Sequence, residues 1–306
     1  MAEIEVTGCA LPARLLRALV DFRLEGNQYG AILVRGLPID PDIGPTPLNG
    51  NTVDWADVPI ASVAQLMVSS RLGDVIAFAD EKEGRLLQDV VPVPGAENRQ
   101  ENSGTKFMEL HTEDGFHPFK PDFVTLLCLR TDDERRGRTV VGSARRVLPR
   151  LSAACVQTLR EPVFRIRFAS SFATGGRVRY SAPLAALSGP EQDPDLVADC
   201  HAMEGLTPAA DRALAELSRE LPEVVVGGVL EPGDLLVIDN RVAVHGRDGF
   251  TARFDGRDRW LRRCFTVVDL RRSRGSRQAG SRICAPLSVM TAERLSDAGV
   301  AARVGG

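Results

Sequence analysis

Several features are missing from this chain of 306 residues, and each absence removes a class of function. There is no basic excess: 38 Lys and Arg stand against 41 Asp and Glu, a formal net charge of -3. Apart from a local arginine cluster near the C-terminus, nothing points to nucleic acid. No apolar run approaches the roughly 20 residues that span a bilayer. The opening stretch MAEIEVTGCALPARLL carries two early glutamates and no apolar core of signal-peptide length. The six cysteines, Cys9, Cys128, Cys155, Cys200, Cys264 and Cys284, form no CxxC pair. In a chain this long they read as free thiols of a reducing cytoplasm. Neither GxxxxGK(S/T) nor a GxGxxG after a strand is present, so no phosphate cradle is expected. GxSxG is missing too, which removes the nucleophile elbow of a serine hydrolase. Repeats, low-complexity segments and convincing linkers are also absent. Histidine is scarce, with four in the whole chain.

What is present is an ordinary globular mix, 43% hydrophobic and 26% charged, enough for a sizeable core. LPARLLRALVDFRLEG has apolar residues at helical spacing and ends on Gly26. GAILVRGLPI reads as a short buried strand, PDIGPTPLNGNTVDW as loop, and PIASVAQLMVSSRLG as a second helix stopped at Gly73. From about residue 74 the chain becomes a series of short strand-like runs: DVIAF, LLQDVVPV, KFMEL, DFVTLLCLR, RTVVGSARRV, PVFRIRFA, EVVVGG, DLLVIDN and RWLRRCFTVVDL. Turns such as PGAEN, EPGD and FDGRD separate them. LPRLSAACVQTLRE and PAADRALAELSREL are helical interruptions. This pattern predicts a mainly β domain with flanking helices, an antiparallel double-sheet core of sandwich, barrel or jelly-roll type.

Two of the four histidines lie in MELHTEDGFHPF. On an extended segment, residues i and i+2 point the same way, so His111 and Glu113 can aim at one point. Two histidines and one carboxylate on one face form a site for Fe(II). Of the remaining histidines, His245 is the better third ligand. It lies in DLLVIDNRVAVHGRDGF, just past a strong apolar strand, and Gly246 lets backbone come close. His117 precedes a proline at a spacing that does not suit the site, and Asp114 reads as solvated. In DRWLRRCF, Arg259, Leu261, Arg263 and Phe265 share one face of a strand. Two arginines on a core-facing side need anions. The face therefore predicts two carboxylates, from ligands or partners, about 13 Å apart.

HTEDGFHPFKPDFVTLLCLR together with DNRVAVHGRDGFTARFDGRDRWLRR resembles the clavaminate synthase-like branch of the Fe(II)/2-oxoglutarate dioxygenases, within the TauD/TfdA superfamily. That branch includes the asparagine and arginine β-hydroxylases of peptide-antibiotic pathways. HxE in place of the commoner HxD, the distal histidine, and an arginine fourteen residues beyond it match in order and spacing. The resemblance runs from about residue 76 to 275. It implies a double-stranded β-helix, or jelly roll, with helices packed outside. Residues 1–73 would be N-terminal support, 74–275 the core, and 276–306 a C-terminal tail. His111, Glu113 and His245 would hold iron, and Arg259 and Thr139 would hold the far carboxylate of 2-oxoglutarate. Arg263 would hold the substrate's α-carboxylate, with Glu113 on its α-amino group and Asn102 and Glu81 toward its α-amino or carboxylate group. Gln88 rivals Glu81 for that role. Asp199 would reach the substrate side chain. Two residues on, where the arginine hydroxylases carry a second acid, stands His201, which argues against arginine.

The reaction the resemblance implies is hydroxylation, at Cβ, of a free L-amino acid with a polar or cationic side chain (arginine, asparagine, citrulline or lysine type), with 2-oxoglutarate and O2 as cosubstrates. The long Gly/Ser/Pro-rich segment at about 168–200 reads as a lid over the site. Nucleic acid and membrane are not expected partners, and the chain would act as a monomer or homodimer. Rival readings are a desaturase or Cγ/Cδ hydroxylase on the same site, a metal-binding jelly roll without turnover, and a zinc hydrolase. An intact Arg259 and Thr139 argue against the jelly roll without turnover, and a zinc hydrolase leaves the two arginines unexplained.

Overall fold

In the computed structural model, residues 1–50, 53–100, 104–172 and 178–290 are described. The chain starts with helices α1 (Ala2–Thr7) and α2 (Ala13–Glu25), strand β1 (Ala31–Val34) and helix α3 (Pro59–Leu72). Strands β2 (Asp74–Phe78), β3 (Leu87–Val90), β4 (Met108–His111), β5 (Phe123–Arg130) and β6 (Thr139–Ser143) lead to helices α4 (Ala144–Val147) and α5 (Ala153–Leu159). Short strands β7 (Phe164–Ile166), β8 (Leu187–Ser188), β9 (Asp195–Leu196) and β10 (Met203–Gly205) precede helix α6 (Pro208–Glu220). Strands β11 (Val226–Gly228), β12 (Leu235–Asp239), β13 (Ala243–Arg247), β14 (Trp260–Val267) and β15 (Ile283–Cys284) complete the described chain.

Local chemistry sets the helix boundaries. Gly26 takes φ 62, and its N–H donates to the Phe22 carbonyl, which ends α2. At α6 the Thr207 hydroxyl accepts from the Ala210 N–H, and Pro208 occupies the first turn, where a missing donor costs nothing. The larger sheet has the order β1-β12-β5-β14-β2-β15, with β3 also on β14; the smaller is β11-β6-β13-β4. All these pairings are antiparallel except β15 with β2.

The strands divide their alternate residues between two apolar layers. Val124, Leu126, Leu236, Ile238, Leu261 and Phe265 belong to one cluster, which also takes in Val141 and Ala243 of the smaller sheet. Their neighbours Phe123, Leu127, Leu235, Val237 and Trp260 pack with Leu19, Phe22, Val58 and Leu72 from the helical side. A third cluster joins Val140 and Val244 to α5 and α6. The chain is therefore mostly sheet with helices packed outside, as expected.

Details differ from the sequence reading. RTVVGSARRV is strand only as far as Ser143 and then turns into α4. EVVVGG begins as a tight turn at Pro222–Val224. His245 does follow the apolar strand β12, but it lies inside a further strand, β13, that the sequence reading did not include. The segment read as a C-terminal tail contributes β15.

Candidate active site

β4 and β13 are neighbours in the smaller sheet, and their pairing puts His111 directly opposite His245. Gly246 permits this closeness: a Cβ there would lie 2.6 Å from the Met108 carbonyl oxygen on β4. The two imidazole centroids are 4.5 Å apart. Glu113 follows the end of β4. Asn240 fixes it by accepting from the Glu113 N–H at 2.8 Å and donating to its carbonyl at 3.0 Å. One ligand atom from each of His111, Glu113 and His245 falls within 4.8 Å of the others.

The donor set fits a metal. His111 Nδ1 lies 2.9 Å from the Glu109 carbonyl, which leaves Nε2 as the free lone pair. Nε2 of His245 is 3.4 Å from Glu113 Oε2, while Oε1 of the same carboxylate accepts from Arg263 at 2.7 Å. Burial pushes the His245 imidazole below its ordinary range, so it stays a neutral ligand. Burial alone would raise the Glu113 carboxyl, but Arg263 and the His245 hydrogen bond hold it far below the usual range. Two imidazoles and one carboxylate, all on one side, form the facial set of a non-haem Fe(II) centre.

The triad opens into a cavity of about 1000 Å³ whose walls include Glu81, Asp114, Thr139, Asp199, Arg259 and Arg263. Its two ends differ in charge. At one, Arg263 donates to Gln88 at 3.0 Å, to Glu113 and to Glu81, so both Glu81 and its rival Gln88 meet the same guanidinium. Burial lifts the Glu81 carboxyl even beside Arg263. Asp114 is buried, not solvated as expected. Desolvation and the neighbouring Glu81 and Glu113 raise its carboxyl well above the ordinary range. Glu81 Oε2 and Asp114 Oδ2 have no hydrogen-bond partner. Three carboxylates around one arginine leave room for a further cation, such as an ammonium group. Glu113's second oxygen, expected on the substrate's amino group, is engaged by Arg263.

At the other end Arg259 donates to the Thr139 hydroxyl at 2.9 Å and forms no ion pair with a described carboxylate. Burial lowers its pKa to about 10. Here only one of the expected anion partners is unmet by protein, and a carboxylate-bearing ligand would meet it. Asp199 pairs across from His111 in an isolated bridge. Its Oδ1 accepts from the His201 and Ala202 N–H groups at 2.9 and 2.7 Å. The His201 Nε2 lies 3.2 Å from a guanidinium nitrogen of Arg167. Asn102 lies outside the described residues. The last histidine, His117, is not brought to the triad. It accepts from the Phe119 N–H at 3.0 Å and packs 4.2 Å from the Phe78 ring.

Sequence reasoning missed Asn240, Arg167 and Arg247. Asn240 and Arg247 sit within the quoted DLLVIDNRVAVHGRDGF, but their inward placement depends on which face of the hairpin is buried. Arg167 is on no motif.

The family described as Taurine catabolism dioxygenase TauD, TfdA family matches residues 56–265. The L-asparagine oxygenase of Streptomyces coelicolor is 45% identical over 271 residues, which is 88% of this chain and 80% of that protein. A crystal structure of asparagine oxygenase with Fe(II), 2S,3S-3-hydroxyasparagine and succinate superposes with a TM-score of 0.88 at 43% identity, covering 92% of this chain and 88% of that one. The non-heme iron oxygenase OrfP, in complex with Fe and alpha-ketoglutaric acid, gives a TM-score of 0.82 at 31% identity, covering 92% and 89%. With the histidine–glutamate–histidine cluster facing an unpaired arginine across one cavity, this chain belongs to the TauD/TfdA dioxygenase family and is an iron- and 2-oxoglutarate-dependent oxygenase.

Proposed function

We propose that this oxygenase hydroxylates C3 of free L-asparagine on a double-stranded β-helix made by the two facing sheets. The observation that carries the choice of substrate is the far wall of the cavity. Asp199, next to His111, spends one oxygen on backbone and keeps the other, while Arg167 is close by, on His201. A carboxamide presents N–H to an acceptor and C=O to a donor, and so matches both. A lysine or arginine side chain would bring a second cation to Arg167, at a cost in a partly desolvated site. The 45% identity to an L-asparagine oxygenase supports the same reading.

Each residue then has a role. His111, Glu113 and His245 hold Fe(II), and Glu109 and Asn240 orient the first two. Arg259 and Thr139 hold the far carboxylate of 2-oxoglutarate. Arg263 takes the substrate's α-carboxylate in competition with Gln88, whose neutral amide is the weakest of its three acceptors. Glu81 and Asp114 face the α-ammonium group, and Asn102, outside the described residues, would contact the substrate's α-amino or carboxylate group. When bound, iron and 2-oxoglutarate supply the oxidising chemistry: O2 is split between succinate, formed with loss of CO2, and a hydroxyl on the substrate. Gripping both α-groups leaves the C3 hydrogen nearest the metal. Residues at about 168–200 would close over the site as a lid. The chain would act as a monomer or homodimer, and action in a reducing cytoplasm suits the unpaired cysteines of the described chain.

The test is a panel. Protein purified without oxygen is given Fe(II), 2-oxoglutarate, O2 and each L-amino acid, with succinate and products of 16 Da added mass followed. Asparagine should stimulate succinate most. Stimulation by lysine or arginine above asparagine would overturn the substrate, and stimulation by no amino acid would overturn the whole reading.

A further inference from the structure

Arg247 is buried, 4% exposed, and nothing above employs it. It sits two residues beyond His245 on β13, so both side chains leave the same face, about 7 Å apart along the strand. Across the ladder its partner is Thr139 of β6, the residue whose hydroxyl accepts from Arg259. His245, Arg247, Thr139 and Arg259 thus mark a track from the metal ligands to the basic end of the cavity, and all four line it.

The guanidinium is poorly served by protein. One nitrogen donates to the Lys106 carbonyl at 2.9 Å, the group lies 5.0 Å from the Phe250 ring centroid, and Nε has no partner. Among the described residues no carboxylate forms an ion pair with it or with Arg259. Two buried cations side by side, with Asp132 acting on Arg259 only from beyond ion-pair distance, are unfavourable unless a ligand completes them. Elsewhere on the same sheets the fold does not leave this state: Arg262 has Asp89, and Arg263 has Glu81 and Glu113.

We propose that Arg247 is a second cation of the 2-oxoglutarate site, reaching the distal carboxylate beside Arg259 and setting the preference for a dicarboxylic over a monocarboxylic 2-oxo acid. This rests on the oxygenase reading. The remaining valences are accounted for: Thr139 supplies a hydroxyl, Arg259 one guanidinium, and Arg247 another from the opposite strand. Lys106, Phe250 and the β13 backbone hold Arg247 extended in place.

The experiment compares wild type with Arg247→Met and Arg247→Lys, loaded with Fe(II) and kept anaerobic. Calorimetric titration measures the binding of 2-oxoglutarate and of 2-oxobutyrate, which lacks the distal carboxylate. Arg247→Met should weaken 2-oxoglutarate roughly 10- to 100-fold, the effect of losing a hydrogen bond to a charged group. Binding of 2-oxobutyrate should change less than threefold, roughly the scatter of such a contact, and one equivalent of iron should remain bound. Arg247→Lys, which keeps the charge and guards against misfolding of the methionine variant, should lose less 2-oxoglutarate affinity but in the same selective manner. Unchanged 2-oxoglutarate affinity in either folded variant, or equal loss for both oxo acids, overturns the proposal. If wild type itself binds neither iron nor 2-oxoglutarate, the oxygenase reading fails first and the proposal falls with it.

Discussion

Arg262 and Arg263 are consecutive residues of β14 and almost equally buried, 1% and 4% exposed, yet they belong to two different regions. Arg262 faces outward beneath α3. There Asp89 accepts from its Nε at 3.0 Å and from the Trp260 indole at 2.8 Å, Ser62 accepts from its NH1 at 2.7 Å, and Gln65 donates to its carbonyl at 2.8 Å. One charge meets one opposite charge, although Gln65 Oε1 is left without a hydrogen-bond partner. Arg263 faces inward and meets two ionisable acids and an amide, with a third acid nearby. The balance there is left open: acid is in surplus around Arg263, while at the other end of the same face Arg259 forms no ion pair with a described carboxylate. A buried arginine that is completed by the fold is structural, and one that is over- or under-supplied marks a ligand.

The comparison predicts that inner-face changes remove activity and outer-face changes remove stability. The largest effect is expected for His111→Ala. It should lose iron in equilibrium dialysis and lower turnover on the order of 10⁴-fold or more, because no other group replaces the metal's chemistry. Its denaturation midpoint should not fall. Substantial residual turnover would break the assignment of the triad.

On the outer face, Asp89→Asn should cost about 3–5 kcal/mol of stability in chemical denaturation, since it leaves the Arg262 charge buried without its partner. Turnover per folded molecule should stay within about twofold, as it does for substitutions remote from the chemistry. A large loss of turnover with intact stability would erase the distinction between the two faces.

A more gradual effect, spread over pH, separates the structural histidine from the metal-facing ones. Burial pushes the His117 pKa from 6.5 down to about 3. The unfolded chain therefore takes up a proton below pH 6.5 that the folded chain refuses until about pH 3. Stability from this residue is complete above the unfolded pKa and falls as pH drops, with a limiting slope of about 1.4 kcal/mol per pH unit. His117→Gln should flatten that part of the stability–pH curve, and an unchanged curve would show that His117 is not held neutral.

Much of this site could be read from the chain because it depends on short-range geometry. His111 and Glu113 are two residues apart, and their nearness in sequence keeps them at one point even though Glu113 lies in the turn after β4, where Asn240 holds it. Arg259, Leu261, Arg263 and Phe265 follow strand periodicity. Helices α2, α3 and α6 are bounded by glycine, proline and threonine that act within a turn or two. β5 and β12 are apolar on both faces, because helices cover one and the facing sheet covers the other, so no alternation distinguishes inside from outside. Asp114 was placed in solvent by its acid type, and the neighbouring chain wraps it instead. His245 was seen as a ligand, but β13 is short and ends in charge, which hid the strand and with it the inward direction of Arg247.

The sequence by itself determined the donor chemistry, two imidazoles and a carboxylate with an arginine fourteen residues beyond the distal histidine, and the mainly β character of the chain. Only the tertiary structure decided which arginines are satisfied and which are left unpaired. That depends on pairings such as Asp89 with Arg262 and Thr139 with Arg247, between residues far apart in the chain, and burial turns each match or mismatch of charge into a large free energy.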